Sequence, residues 1–182
     1  GVQPGELYQF DPGVFRDDDG TLYLYSGFCP KTRQQDALGR QMPGAHVCRL
    51  EADMLTMVEE PEILIPRDFP CPEGAEFFEA PSMRKIRNTY YFIYSARCNG
   101  LHYATSDAPD GAFVYGGRIH SSSDVGLRGY TMEHAAYPNG NTHGSLIEVN
   151  GQFYIFDHRF SNNSSFCRQA VAEPVTITED GR

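Results

Sequence analysis

Glu79 is a lone carboxylate among apolar neighbours, in Phe77-Phe78-Glu79-Ala80-Pro81-Ser82. An acid in such surroundings tends to keep its proton towards neutral pH, because burial disfavours the charged form. A protonated carboxyl is what a general acid needs in order to protonate a leaving oxygen. Two other ionisable residues hold comparable places. Asp11 opens Asp11-Pro12-Gly13-Val14-Phe15, and His143 opens His143-Gly144-Ser145-Leu146. Asp11 lies eight residues before the turn Asp19-Gly20, Glu79 nine before Asn88-Thr89, and His143 seven before Asn150-Gly151. A carboxylate beside an acid holds the acid's proton on by like-charge repulsion. Two carboxyls facing one cavity are the equipment of a glycosidase. Each residue also has a plainer account: a surface glutamate near a strand start, an Asp-Pro turn opener, and a hydrogen-bonded core histidine.

The elements that must position these residues repeat. Short apolar strands flank each of the three turns, and an aromatic (Tyr25, Tyr94, Phe156) stands six residues after each turn's first residue. The turns are 69 and 62 residues apart. Asp-Gly and Asn-Gly supply the positive φ that tight hairpins need. Strands are predicted at 14–16, 22–26, 45–50 and 62–65, at 82–86, 90–95, 101–105 and 113–119, and at 145–149, 152–157 and 167–171. A fourth strand of the last group is predicted to begin at 174–177. Polar segments over 28–44 and 120–142 read as loops. No segment carries a helical apolar stripe, so the chain reads as all-β. Blade-like units over about 7–66, 77–120 and 141–182 read as parts of a β-propeller. A sandwich with similar hairpins is the alternative. In a propeller the innermost strands line a central channel, which would bring residues 11, 79 and 143 together.

Composition sets the outer limits. A net charge of −9 argues against nucleic acid, which needs a clustered basic surface. No apolar run approaches the roughly 20 residues of a membrane span. The five cysteines form no CxxC pair and read as free thiols, not a zinc site. No signal peptide is visible, and Gly1 is not a natural start. Both a cytoplasmic and a secreted bacterial location stay open.

The residues 10–25, from Phe10-Asp11-Pro12-Gly13 to Leu22-Tyr23-Leu24-Tyr25, resemble the third blade of glycoside hydrolase family 43, a five-bladed β-propeller. Phe78-Glu79-Ala80-Pro81-Ser82 is similar to that family's catalytic-acid motif. His143-Gly144-Ser145, with Tyr154-Ile155-Phe156-Asp157-His158-Arg159, resembles its axial-histidine blade. The resemblance implies Glu79 as general acid, Asp11 as pKa modulator, and His143 as axial ligand to a metal, usually calcium. It implies Arg168 as a substrate-facing arginine, whose rigid fork suits hydroxyls or a carboxylate. Phe28 and Phe78 are candidate sugar contacts through their rings, with a core role equally open for Phe28. His158 and Arg97 are candidates by position. The family's third acidic residue, the base, lies in the first blade, far upstream of the acid. Here Asp11 is the upstream candidate, 68 residues before Glu79, and it matches the modulator. The chain therefore resembles about three of five blades, an incomplete propeller without its base. The implied activity is inverting hydrolysis of arabinose- or xylose-containing plant-wall glycans. The implied partners are a carbohydrate substrate and either another copy or a complementary chain that supplies missing blades. A non-catalytic carbohydrate-binding or assembly module is the alternative.

Overall fold

The computed structural model describes residues 9–28, 43–97, 100–121, 123–140 and 142–181. Among them the regular elements are eleven strands, with no helix. Strands β1 (Gly13–Arg16), β2 (Leu22–Gly27), β3 (Gly44–Leu50) and β4 (Glu62–Pro66) form one antiparallel sheet in that order. Strands β5 (Phe77–Ile86), β6 (Thr89–Ala96), β7 (Gly100–Ser106) and β8 (Val114–His120) form the second. Strands β9 (Ser145–Val149), β10 (Gln152–Ser161) and β11 (Ser164–Val175) form the third, in the order β11-β10-β9.

Turn chemistry explains the hairpins. Asn150 and Gly151 take φ of 50° and 81° between the paired residues Val149 and Gln152. Both are residue types that tolerate the left-handed region, as a two-residue primed turn requires. In the second sheet the turn falls at Arg87-Asn88, one residue earlier than predicted, with Ile86 paired to Thr89 and Arg87 at φ 58°. Arginine gives no sequence signal for such a backbone, whereas Asn88 does.

Three further expectations need correction. The strand carrying Glu79 begins at Phe77, not Ser82, so the acid lies inside β5. Phe113 precedes β8 and packs its ring 5.8 Å from that of Phe92. Among the described residues no fourth strand closes the third sheet: Pro174 and Val175 instead end β11, opposite Tyr154 and Phe153. Strand β11 is twelve residues long because it follows the full length of β10. Most of the loop predicted over 28–44 lies outside the described residues. After His120, which ends β8, the described part of 120–142 carries no strand or helix, and Ser123 Oγ donates to Asn139 Oδ1 at 2.8 Å.

The main core lies between the first two sheets, where Tyr25, Phe77, Phe92 and Tyr94 are almost fully buried. Tyr25 donates to the Pro109 carbonyl and Tyr94 to the Ala75 carbonyl, both at 2.9 Å, so neither hydroxyl is stranded. A smaller core of Ile93, Leu101, Leu146 and Ile155 joins the second sheet to the third. The first strands of the sheets meet. A Cβ on Gly13 of β1 would stand 2.4 Å from the Pro81 carbonyl oxygen of β5, so only glycine permits that approach. On the other side, Ser82 and Ser145 share a hydrogen bond at 3.0 Å, and Arg84 Nε donates to the Leu146 carbonyl at 2.8 Å. Cys48, Cys71 and Cys167 are free thiols, and Cys29 and Cys98 lie outside the described residues. Among the described residues, no helix is long and apolar enough to cross a membrane.

Candidate active site

Glu79 is aimed by a local break in the β5–β6 ladder. It pairs with Ser95, but the register shifts on both sides of it, between Phe77 and Glu79 and between Glu79 and Ser82. Ala80 absorbs the extra length at φ 60°, a conformation that a residue with a Cβ seldom takes. Such bulges re-aim a side chain out of the strand's alternation. Pro81 follows, where no ladder N–H is needed. The result is a glutamate only 7% exposed, to whose carboxyl no donor bonds among the described residues. Its pKa is pushed from the ordinary 4.5 to about 7, first by burial and then by the charge of Asp11, against a smaller pull from Arg168.

Asp11 also sits at positive φ, 45°, just before β1. Its Oδ2 lies 3.9 Å from Nδ1 of His143, within ion-pair reach when the imidazole is protonated. Three sequence-predicted residues, ahead of β1, within β5 and ahead of β9, thus come together: Asp11 acts electrostatically on Glu79 and faces His143. The His143 segment is itself pinned. Thr142 shares a hydrogen bond with Ser95 at 3.1 Å, and the His143 backbone N–H donates to Asp157 Oδ1 at 3.0 Å. A Cβ on Gly144 would collide with the Phe156 carbonyl at 2.1 Å, so glycine lets this segment lie flat against β10.

Arg168 and His158 come together on β11 and β10, with Arg168 Nη1 3.0 Å from His158 Nε2. A guanidinium only donates, so His158 accepts through Nε2 and carries its proton on Nδ1. The Arg168 guanidinium also stands 5.2 Å from the Phe160 ring centroid. Phe28 is buried between Phe10 and Phe78, with ring centroids 5.3 and 5.0 Å away, which gives it a packing role here. Phe78 is half-buried and Phe10 is exposed, so they are the accessible rings of the trio. Arg97 follows the last residue of β6, its backbone N–H donating to the Glu76 carbonyl at 3.3 Å. Asp157, which accepts the His143 N–H and lies 2.9 Å from His120 Nδ1, was not singled out from the sequence. Asp157 sits in the run Tyr154–Arg159, but residue type alone does not show which face of a strand it serves.

One imidazole and one carboxylate fall far short of the six to eight oxygens that calcium takes. Among the described residues no group of three or more His, Cys, Asp or Glu is placed to hold a metal ion. This donor set fits at most an ion that keeps most of its water.

The family model for glycosyl hydrolases family 43 matches residues 2–182. The chain belongs to family 43. A xylosidase/arabinosidase from Thermoclostridium stercorarium is 46% identical over 188 residues, covering 100% of this chain and 38% of that protein. A β-xylosidase from Xylanibacter ruminicola is 32% identical over 195 residues, covering 96% of this chain and 57% of that protein. Among solved structures, CoXyl43, a β-xylosidase/α-arabinofuranosidase from a compost metagenome, superposes with a TM-score of 0.74 at 26% identity. That match covers 96% of this chain and 57% of CoXyl43, which was solved with xylotriose in a calcium-free form. A family 43 enzyme from Xanthomonas citri, solved with xylose, gives a TM-score of 0.71 at 25% identity. The three sheets are thus blades of the family 43 propeller, and the chain spans about half the length of most of these relatives.

Proposed function

We propose that this family 43 chain carries the acid side of an inverting glycosidase site for arabinose- or xylose-containing plant-wall glycans, of the α-L-arabinofuranosidase/β-xylosidase type. One observation carries the reading. Glu79 is a buried carboxyl with a pKa near 7, beside the Asp11 carboxylate, at the junction of three blades. In a single displacement Glu79 gives its proton to the glycosidic oxygen as the bond from that oxygen to the anomeric carbon breaks. Water attacks the opposite face and loses its proton to a second carboxylate. That base comes from outside the described residues, as the family's three-acid pattern requires. Asp11 keeps the Glu79 proton in place until the leaving oxygen takes it. Arg168, held by His158, would grip sugar hydroxyls beside the acid. The names of the relatives support xylose and arabinose as the sugars.

The test compares Glu79→Gln with the parent on aryl glycosides, in a polypeptide long enough to supply the base. Loss of a general acid should cost most with poor leaving groups and least with good ones. Equal activity of parent and variant on a poor leaving group would sink the assignment. The 182 residues alone are expected to associate with themselves or with a complementary chain, which a monodisperse 20.4 kDa species in solution would contradict. Axial calcium through His143, with water filling the remaining positions, is the accompanying proposal. Chelation should then lower activity and added calcium restore it, and full indifference to chelators would remove the ion from the reading.

A further inference from the structure

The Asp157 side chain is fully buried, and both of its oxygens are committed. Oδ1 accepts the backbone N–H of His143 at 3.0 Å and that of His158 at 2.7 Å. Oδ2 lies 2.9 Å from Nδ1 of His120, the last residue of β8 in the neighbouring sheet. One carboxylate therefore ties together the segment that presents His143, the strand that presents His158, and the adjacent blade. Its neighbours extend the connection in both directions. Thr142 is bonded to Ser95, the residue paired with Glu79. His158 accepts from Arg168, whose charge acts on Glu79. The site proposed above is thus braced at a carboxylate buried from solvent.

We propose that Asp157, seated by His120, is a positioning residue for this site, fixing His143 and the His158–Arg168 pair relative to Glu79. The inference rests on the function proposed above. A buried carboxylate is a costly way to hold backbone N–H groups unless the geometry it sets matters, since one removed partner leaves the others unsatisfied. Outer partners that orient functional groups commonly cost about 10–100-fold in activity when removed.

The experiment measures kcat/KM on an aryl glycoside, per folded molecule at 25 °C, for a polypeptide containing this chain and active on that substrate. Asp157→Ala is expected to lose about 10–100-fold. Asp157→Asn, whose amide oxygen still accepts both N–H groups, should recover most of that loss. His120→Gln should lose about two- to tenfold, the worth of one hydrogen bond. A role in stability alone would move the melting temperature and leave kcat/KM per folded molecule unchanged. The deciding readout is a cycle with Arg168→Ala. If Asp157 acts through His158 and Arg168, removing Arg168 costs much less in the Asp157→Ala background than in the parent. Full additivity, or parent-level kcat/KM in folded Asp157→Ala, overturns the proposal. Should Asp157→Ala not fold, parent-level kcat/KM in both Asp157→Asn and His120→Gln overturns it instead. Glu79→Gln is the reference. An inactive Glu79→Gln beside unaffected Asp157 and His120 variants refutes this inference alone, whereas an active Glu79→Gln refutes the proposed function and this inference with it.

Discussion

At one end of β5, Lys85 lies 3.1 Å from Asp17 Oδ1 and 2.8 Å from Asp18 Oδ2, while the Tyr90 hydroxyl donates to Asp17 Oδ2 at 2.7 Å. Every charge there has an opposite charge or a donor beside it. At the other end of the same strand, Glu79 is buried with no donor on its carboxyl among the described residues, and the nearest acting charge includes a like one. The two ends shift their acids in opposite directions. Burial pushes Asp17 up, but the hydrogen bonds from Tyr90, the Asp18 N–H and Lys85 outweigh it and hold the carboxyl below its ordinary range. Burial pushes Glu79 up, and Asp11 adds to the push. One end uses its charges to join two blades; the other leaves a buried carboxyl that favours its protonated form. Perturbation without a compensating partner is what separates a working acid from a structural ion pair.

The most direct way to break this contrast is to neutralise each acid. Glu79→Gln removes the transferable proton and should lower kcat on a poor leaving group by about 10²–10⁴-fold. Asp17→Asn, by contrast, should leave kcat within about twofold of the parent, because its partners lie at the far end of the strand. A comparable kcat loss in both would erase the distinction. Asp11→Asn sharpens it further. Without the like charge, Glu79 should give up its proton at lower pH. The basic limb of the kcat/KM profile, set near pH 7 by Glu79, should then move to more acid pH. An unmoved limb would mean that Asp11 does not act on the acid.

Stability offers a readout that needs no substrate. Raising a carboxyl from 4.5 to about 7 on folding is worth about 3 kcal/mol. The sign follows from proton linkage. Between those two values the folded chain binds more protons than the unfolded one, so stability is fully present below pH 4.5 and is lost as pH rises through 7. Glu79→Gln has nothing to ionise. Its melting temperature should exceed the parent's at pH 8 and match it near pH 4. Equal curves at both pH values would place the Glu79 carboxyl in water.

How much of this was legible in the sequence depends on which residue types betray their backbone. Asn150-Gly151 announced its turn, because both residues accept positive φ. Arg87 did not, because nothing about arginine predicts φ 58°. Glu79 stood out through its apolar neighbours, yet the bulge that aims it was hidden. Ala80-Pro81 reads as a strand start, when it is a distortion within a longer strand. The convergence of Asp11, Glu79 and His143 was legible because a repeat places equivalent residues on equivalent strands. Asp157 and His120 were not, because the other two units hold serines, Ser26 and Ser95, at the place of Asp157, and the pair meets across two sheets. The fourth strand expected at 174–177 shows the same limit, since Pro174-Val175 has strand character wherever it is paired, here as the end of β11.

The smallest expected effect belongs to the saturated end. Asp17 is held below its ordinary range, so it contributes stability above the usual aspartate pKa and loses it as pH falls through the folded value. Ion pairs near a surface are worth little each, so Asp17→Asn should lower the melting temperature by only about 1–3 °C at pH 7. That deficit should vanish in strong acid, where the parent's Asp17 is protonated as well. Glu79→Gln should do the reverse, with a gain that appears as pH rises. Opposite pH signatures from the acids at the two ends of β5 would tie their difference to partners, not to burial, because burial pushes both in the same direction. Parallel signatures would show that the bonds around Asp17 fail to outweigh its desolvation.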